Sequence, residues 1–347
     1  MTSLTSWLER EIASQPTLIE ALLRRELPHV REVVARLPSF SYALIAARGS
    51  SDHAATYATY SWGALAGYPV ALATPSLYTI YQTPPRMAAA LVIGVSQSGQ
   101  SPDIVAVLAE ARRQGRPTLA ITNDPASPLA ATSDEVIALG AGSERSIAAT
   151  KTYLAEMAVM ALLAAVWSGA DARVAELEAL PAALEETLRA TGDIAGRISR
   201  YGEMEACTII GRGYNYATAF ELALKLRELT YTLASAYSSA DFRHGPIATI
   251  GKDSPVILIM PNGATYPDLY DLALDLRARE ADLLVISDNP EALALASTPL
   301  PLAASAPDWL SPLTAILPGQ VFALRLTLAR GLDPDAPRGL NKVTRTL

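Results

Sequence analysis

The sequence repeats itself. YALIAARGSS (residues 42–51) resembles ACTIIGRGYN (206–215), ALVIGVSQSG (90–99) resembles PVILIMPNG (255–263), and TLAITNDPASPLA (118–130) resembles LLVISDNPEALALA (283–296). The matches keep one order and one offset of about 164–165 residues, the mark of a duplicated unit. They pair Arg48-Gly49 with Arg212-Gly213 and Gly99 with Gly263. A chain of 347 residues exceeds one ordinary core, so two domains of related design are expected.

Each copy alternates short apolar runs with amphipathic stretches. YALIAA, LVIGVS and TLAITN read as buried strands with turn residues behind them. Between them, SPDIVAVLAEARRQG places Ile104, Val105, Val107 and Leu108 on one helical face and stops at Gly115. Strand–helix alternation predicts an α/β fold, with parallel sheets flanked by helices. Such sheets bind ligands beyond the carboxyl ends of their strands. The expected division is a helical segment over 1–35, with candidate starts at Ser14 and Thr17, domains over 36–168 and 201–331, a helical linker over 169–200, and a coil tail over 332–347.

Charge and cysteine content narrow the function. A net charge of −7 argues against nucleic acid as a partner. The single Cys207, in an apolar setting, excludes a disulfide framework and a CxxC zinc site, and three scattered histidines make a metal centre an unpromising reading. The N-terminal stretch is polar, and the greasiest run, MAVMALLAAVW (157–167), is shorter than the ~20 residues that cross a bilayer. A cytoplasmic protein with no membrane partner and no cofactor is expected.

Three loops have binding chemistry. VSQSGQSPD (95–103) sits between a strand and a helix, where free backbone N–H groups and the positive helix end attract an anion. Ser96, Ser98 and Ser101 add hydroxyl donors, Gly99 permits close approach, and Pro102 suits the first helical turn. ARGSSDHA (47–54) repeats the layout with Gly49, Ser50 and Ser51, and ATKTY (149–153), with Ala148 before it, offers a third edge. Other phosphate and nucleophile motifs fail: GPIATIGKD (245–253) has the wrong glycine spacing for a Walker loop, GRGYNY (211–216) is half a dinucleotide fingerprint, and GVSQSG misses the G-x-S-x-G elbow by one residue.

In the second copy, Glu221, Lys225 and Glu228 share one helical face, as either a surface ion-pair ladder or a carboxylate placed for general-base work. DFRHGPIA (241–248) presents His244 in a rigid turn, and Lys342 lies in the tail.

These residues, in order and spacing, resemble the sugar isomerase (SIS) domain proteins, most nearly the isomerase half of the glutamine–fructose-6-phosphate aminotransferases, over almost the whole chain. The resemblance implies two tandem, three-layer, flavodoxin-like domains. It implies that the family's sugar-phosphate loop is Ser96, Gln97, Ser98, Gly99 and Ser101, that Gly49, Ser50 and Ser51 form its G-T-S turn with Ser51 on the sugar, and that Ala149, Thr150 and Lys151 stand for its S-T-K segment with one hydroxyl missing. The K-L-[KR]-E helix is Lys225 to Glu228, which makes Glu228 the base between C1 and C2. The [KR]-H-G-P loop is Arg243 to Pro246, with His244 opening the ring and, in the family, often reaching a neighbouring subunit. Arg338, Leu340 and Lys342 match R-x-L-x-K, whose lysine can form an imine with the open-chain sugar.

The synthase pattern carries a glutaminase domain, whereas this sequence begins MTSLTSWLERE. The expectation is therefore deamination: glucosamine 6-phosphate and water to fructose 6-phosphate and ammonia, by a homodimer. Another amino- or ketose-phosphate, such as galactosamine 6-phosphate or a fructosamine phosphate, is an alternative substrate, and a non-catalytic phosphosugar-binding regulator is the alternative class.

Overall fold

A computed structural model describes residues 6–191, 194–302 and 306–342. The first five strands are β1 (Tyr42–Ala46), β2 (Val70–Leu72), β3 (Ala90–Ser96), β4 (Thr118–Thr122) and β5 (Glu135–Ala138); the next five are β6 (Ala206–Gly211), β7 (Leu233–Ser238), β8 (Pro255–Ile259), β9 (Asp282–Ser287) and β10 (Thr298–Pro301). They form two separate sheets with strand orders β2-β1-β3-β4-β5 and β7-β6-β8-β9-β10. Every pairing is parallel. The two orders are one topology written twice, as the sequence repeat predicts. Its direction of winding reverses between β1 and β3, and again between β6 and β8, which opens a crevice beyond the strand ends.

Each sheet is sealed by helices whose apolar faces match its own. All seven residues of β3 are buried, because a central parallel strand is covered on both sides. Val92 and Ala120 pack with Ile104, Val107 and Leu108 of the helix Pro102–Arg113, while Val105 is only partly buried. In the second sheet, Leu258 and Val285 meet Leu269, Leu272 and Leu276 of the helix Tyr266–Ala278.

The greasy stretch of the first copy lies in a helix, Lys151–Ser168, in which residues 152–165 are all buried. One further segment, Asp308–Ala329, is long and apolar enough by composition to cross a bilayer, a feature the sequence reading passed over. Its helix, Ser311–Ala329, buries most of its residues against the protein, as a core helix does.

By contacts the chain divides into two compact units that are not simple halves. One comprises Met1–Pro16, Arg145–Thr150 and Ala179–Leu340 and contains the second sheet; the other comprises Thr17–Glu144, Lys151–Glu178 and Asn341–Leu347 and contains the first. We refer to them as the β6 unit and the β1 unit. In the β6 unit, Glu11 accepts the N–H of Arg145 at 2.6 Å and of Ser146 at 3.2 Å. Asp335 accepts the N–H groups of Trp7 and Leu8 at 2.8 and 2.9 Å, so the tail caps the first helix.

That helix runs Trp7–Ala13 from Ser6, and the next runs Gln15–Arg36. Ser14 both closes the first helix and directly precedes the second, where a start was expected, whereas Thr17 falls inside the second. Further helices run over Asp171–Glu178, Leu180–Thr191 and Ala195–Ile198.

Candidate functional site

In the β1 unit, two loops leave β1 and β3 on either side of the winding reversal. After β3 the chain turns through Gln97, Ser98 and Gly99. Gly99 N–H is donated back to Ser96, and Gln100 N–H to Ser98 Oγ at 3.3 Å. The loop is fastened to the neighbouring strand end: Asn123 N–H reaches Gln97 O at 3.1 Å, and Leu129 N–H reaches Gly99 O at 3.1 Å. Gly99 has φ +61°, and a Cβ there would fall 2.1 Å from Ser127 Oγ. Only glycine lets the loop lie this close to the chain after β4. Ser101 makes no side-chain capping bond to the helix Pro102–Arg113; Pro102 has no N–H to offer, Asp103 Oδ1 takes the Ile104 N–H at 2.9 Å, and Ser101 O takes the Val105 N–H at 3.1 Å.

The Gly49 turn is braced from below. Asp103, fully buried in the first turn of that helix, accepts Arg48 Nε at 2.8 Å. Ser51 is 9% exposed and donates to Glu156 Oε1 at 2.9 Å. Glu156 is the only charged residue in the buried run of its helix, and an isolated carboxylate in such a run requires a partner.

In the same unit Glu144, its side chain fully buried, accepts Thr152 N–H at 3.1 Å and the Thr152 hydroxyl at 2.6 Å. It also holds Lys342 Nζ at 2.9 Å, so the tail lysine is ion-paired rather than solvated. Lys151 donates to Ser143 O.

The third expected edge is divided: Ala148, Ala149 and Thr150 group with the β6 unit, the first and last buried and Ala149 half-buried, while Lys151, Thr152 and Tyr153 group with the β1 unit.

The β6 unit holds the carboxylate stripe. Tyr216–Thr230 is helical, beginning beyond the Arg212-Gly213 turn that ends β6. Glu221 and Lys225 are almost wholly buried, while the Glu228 side chain keeps 23% exposure. Lys225 Nζ lies 2.6 Å from Glu228 Oε2 and 3.4 Å from Glu221 Oε1. This is no surface ladder. A buried ammonium neutralises a buried carboxylate and at the same time fixes a second one whose free edge meets solvent.

His244 ends the one-turn helix Ser239–Arg243 and is exposed, its N–H on Asp241 O at 3.1 Å. Its neighbour Arg243 donates to Asp268 Oδ1 at 2.9 Å and to Asp268 O at 3.0 Å. Asp268 Oδ2 takes Arg212 at 2.8 Å and the Ser239 hydroxyl. Burial pushes the Asp268 pKa up, but the Ser239 hydrogen bond and the Arg212 and Arg243 guanidinium groups outweigh it and hold the carboxyl below its usual range.

Sequence reasoning missed Asp103, Glu144, Glu156 and Asp268. Two signals existed: the lone Glu156 in an apolar run, and Arg48/Arg212 falling at the same repeat offset as Asp103/Asp268. Burial pushes Cys207 up to about 12, an inert core thiol. Among the described residues, no three His, Cys, Asp or Glu side chains gather as a metal site.

The SIS domain matches twice, over residues 42–166 and 206–330. This chain belongs to the SIS domain family. Its SIS pair is 36% identical over 310 residues to an isomerizing glutamine–fructose-6-phosphate aminotransferase of Gloeobacter violaceus, covering 86% of this chain and 51% of that protein. A Legionella pneumophila aminotransferase of the same description is 32% identical, covering 98% of this chain and 56% of that protein. The chain thus spans about half the length of the curated relatives it matches, and the likeness is to their isomerase portion.

Among solved structures, a candidate phosphosugar isomerase from Silicibacter pomeroyi is 34% identical with a TM-score of 0.85, covering 95% of this SIS chain and all of that one. A glucosamine-6-phosphate deaminase from Thermotoga maritima, 19% identical with a TM-score of 0.80 and covering 98% of this chain and all of that one, shares the fold.

Proposed function

We propose that this SIS pair is a phosphosugar isomerase that deaminates its substrate, converting glucosamine 6-phosphate and water to fructose 6-phosphate and ammonia. The observation that carries the reading is the Lys225–Glu228 contact: a carboxylate fixed by an almost wholly buried ammonium, with one edge left in solvent. A general base must be held in place and reachable, and this arrangement favours both.

In the reaction, His244 assists ring opening. Glu228 then takes the C2 proton of the open-chain aldehyde and returns it to C1. The C2 amine becomes an imine, which water cleaves with loss of ammonia. Lys342, once off Glu144 and deprotonated, is assigned to condense with the open-chain carbonyl with loss of water, and water later hydrolyses that imine to return the lysine and the carbonyl. Lys225 holds Glu228 in place through their 2.6 Å contact. The loop Ser96, Gln97, Ser98, Gly99 and Ser101 receives the phosphate, with Gly49, Ser50 and Ser51 on the sugar and Ala148, Ala149 and Thr150 as a further edge.

Support comes from the family and from the likeness to isomerizing glutamine–fructose-6-phosphate aminotransferases. A homodimer acting in the cytoplasm without a cofactor, and the domain division 1–35, 36–168, 169–200, 201–331 and 332–347, belong to the same proposal.

The test is ammonia release from glucosamine 6-phosphate, with galactosamine 6-phosphate and a fructosamine phosphate alongside, and deuterium uptake at C1 and C2 in D2O. Ammonia from glucosamine 6-phosphate supports the reading. Turnover of another member of the panel replaces the substrate. Binding without ammonia or exchange would overturn catalysis in favour of a phosphosugar sensor.

A further inference from the structure

Asp268 joins three segments that leave the second sheet. Its Oδ2 meets Arg212, just beyond β6, and Ser239, just beyond β7; its Oδ1 and backbone O meet Arg243. Asp268 itself stands in the first turn of the helix that follows β8, where its charge suits the helix dipole. The two guanidinium groups and the buried Ser239 leave the carboxylate little freedom to turn.

The first sheet shows what part of this is scaffold. There Arg48 pairs with Asp103, the same two positions of the repeat, at 2.8 Å. That pair braces a glycine turn, with the other Asp103 oxygen on the Ile104 N–H at 2.9 Å. The second copy adds Arg243, the residue before His244. A single-turn helix of five residues is not stable by itself. Phe242 plants it in the core, and Arg243 fixes its exit on Asp268. The next residues are exposed His244 and Gly245, the latter at φ +145°.

We infer that Asp268 is a positioning residue: through Arg243 it sets where the His244 imidazole stands. The inference rests on the role given to His244 above. Displacing a proton-transfer group by about 1 Å can cost on the order of 100-fold in rate with the fold intact. Removing Asp268 therefore acts on turnover rather than on substrate binding, and Arg212, which reaches the Ser239 hydroxyl at 3.3 Å at the far end of the short helix, contributes less than Arg243.

The experiment compares Asp268→Asn, Asp268→Glu, Arg243→Gln, Arg212→Gln and the Asp268→Asn/Arg243→Gln double variant. Asp268→Asn is expected to lower kcat about 10- to 100-fold with KM within about twofold. It should also narrow the His244 Cε1–H NMR signal, as a mobile ring does. Arg243→Gln should match it, the double variant should be no worse than either, and Asp268→Glu should recover part of the rate. Unchanged kcat, an unchanged His244 signal, or Arg212→Gln reproducing the loss while Arg243→Gln is silent would each overturn the inference. If the wild-type chain turns over no phosphosugar, the functional reading fails, and the His244 signal alone decides the positioning.

Discussion

Lys225 Nζ stands 2.6 Å from Glu228 Oε2 on a helix face where the lysine keeps 1% of its side-chain exposure and the glutamate keeps 23%. The distance is that of a charge-assisted hydrogen bond, so the carboxylate is oriented as well as neutralised. Glu228→Gln keeps an acceptor for Lys225 and removes the base. It should lower kcat about 1,000-fold, within the range for general-base loss, and leave KM near wild type. Steady-state ammonia release with C1/C2 deuterium exchange checks this, and near-normal exchange would remove Glu228 from the mechanism.

Lys225→Met tests the other partner. Glu221, with no exposed side-chain surface, would lose its cation, and breaking a buried pair from one side costs about 3–5 kcal/mol. Urea unfolding should show that loss, and Glu221→Gln combined with Lys225→Met should recover part of it. Additive losses would mean that the two groups do not interact.

The phosphate loop makes a different prediction. Ser98 Oγ accepts from Gln100 N–H, a bond that does not use its hydroxyl proton. Ser98→Ala should raise KM about tenfold, the worth of one hydrogen bond to a charged group, with kcat little changed. Gly99→Ala should do worse. The added Cβ meets Ser127 at 2.1 Å from a backbone held at φ +61°, so both stability and affinity for sugar phosphates fall. A fall in kcat alone for Ser98→Ala would argue against a phosphate cradle.

Asp268 predicts a pH dependence of stability. Its folded pKa is lowered, so its contribution is complete above the unfolded value near ~4 and is lost as pH falls through the lower folded value. Asp268→Asn should be less stable than wild type at pH 7, and the gap should close at strongly acid pH. Urea titrations at stepped pH measure this; a gap constant with pH would contradict it.

The repeat, the parallel sheets and the central strands were legible because buried strands are continuous apolar runs. The edge strands were not. β2 is only VAL and largely exposed, and β10 is TPLP, whose two prolines are tolerated only at a sheet edge. The Glu221–Lys225–Glu228 stripe was visible as spacing, but spacing cannot tell a solvated ladder from a buried one; that depends on what packs over the helix. Glu144 and Asp268 gave no local signal, because their partners Lys342, Arg212 and Arg243 lie far from them along the chain.

The Asp335 bonds to Trp7 and Leu8 join residues 327 and 328 positions apart. During synthesis, β1 to β5 emerge within residues 42–138, and their pairings can form early. The helix beginning at Trp7 must wait for Asp335 to leave the ribosome before its first N–H groups gain that acceptor. The Asp335 cap is therefore a long-range contact, completed only after the chain between the two segments has been made and its sheets have had time to pair.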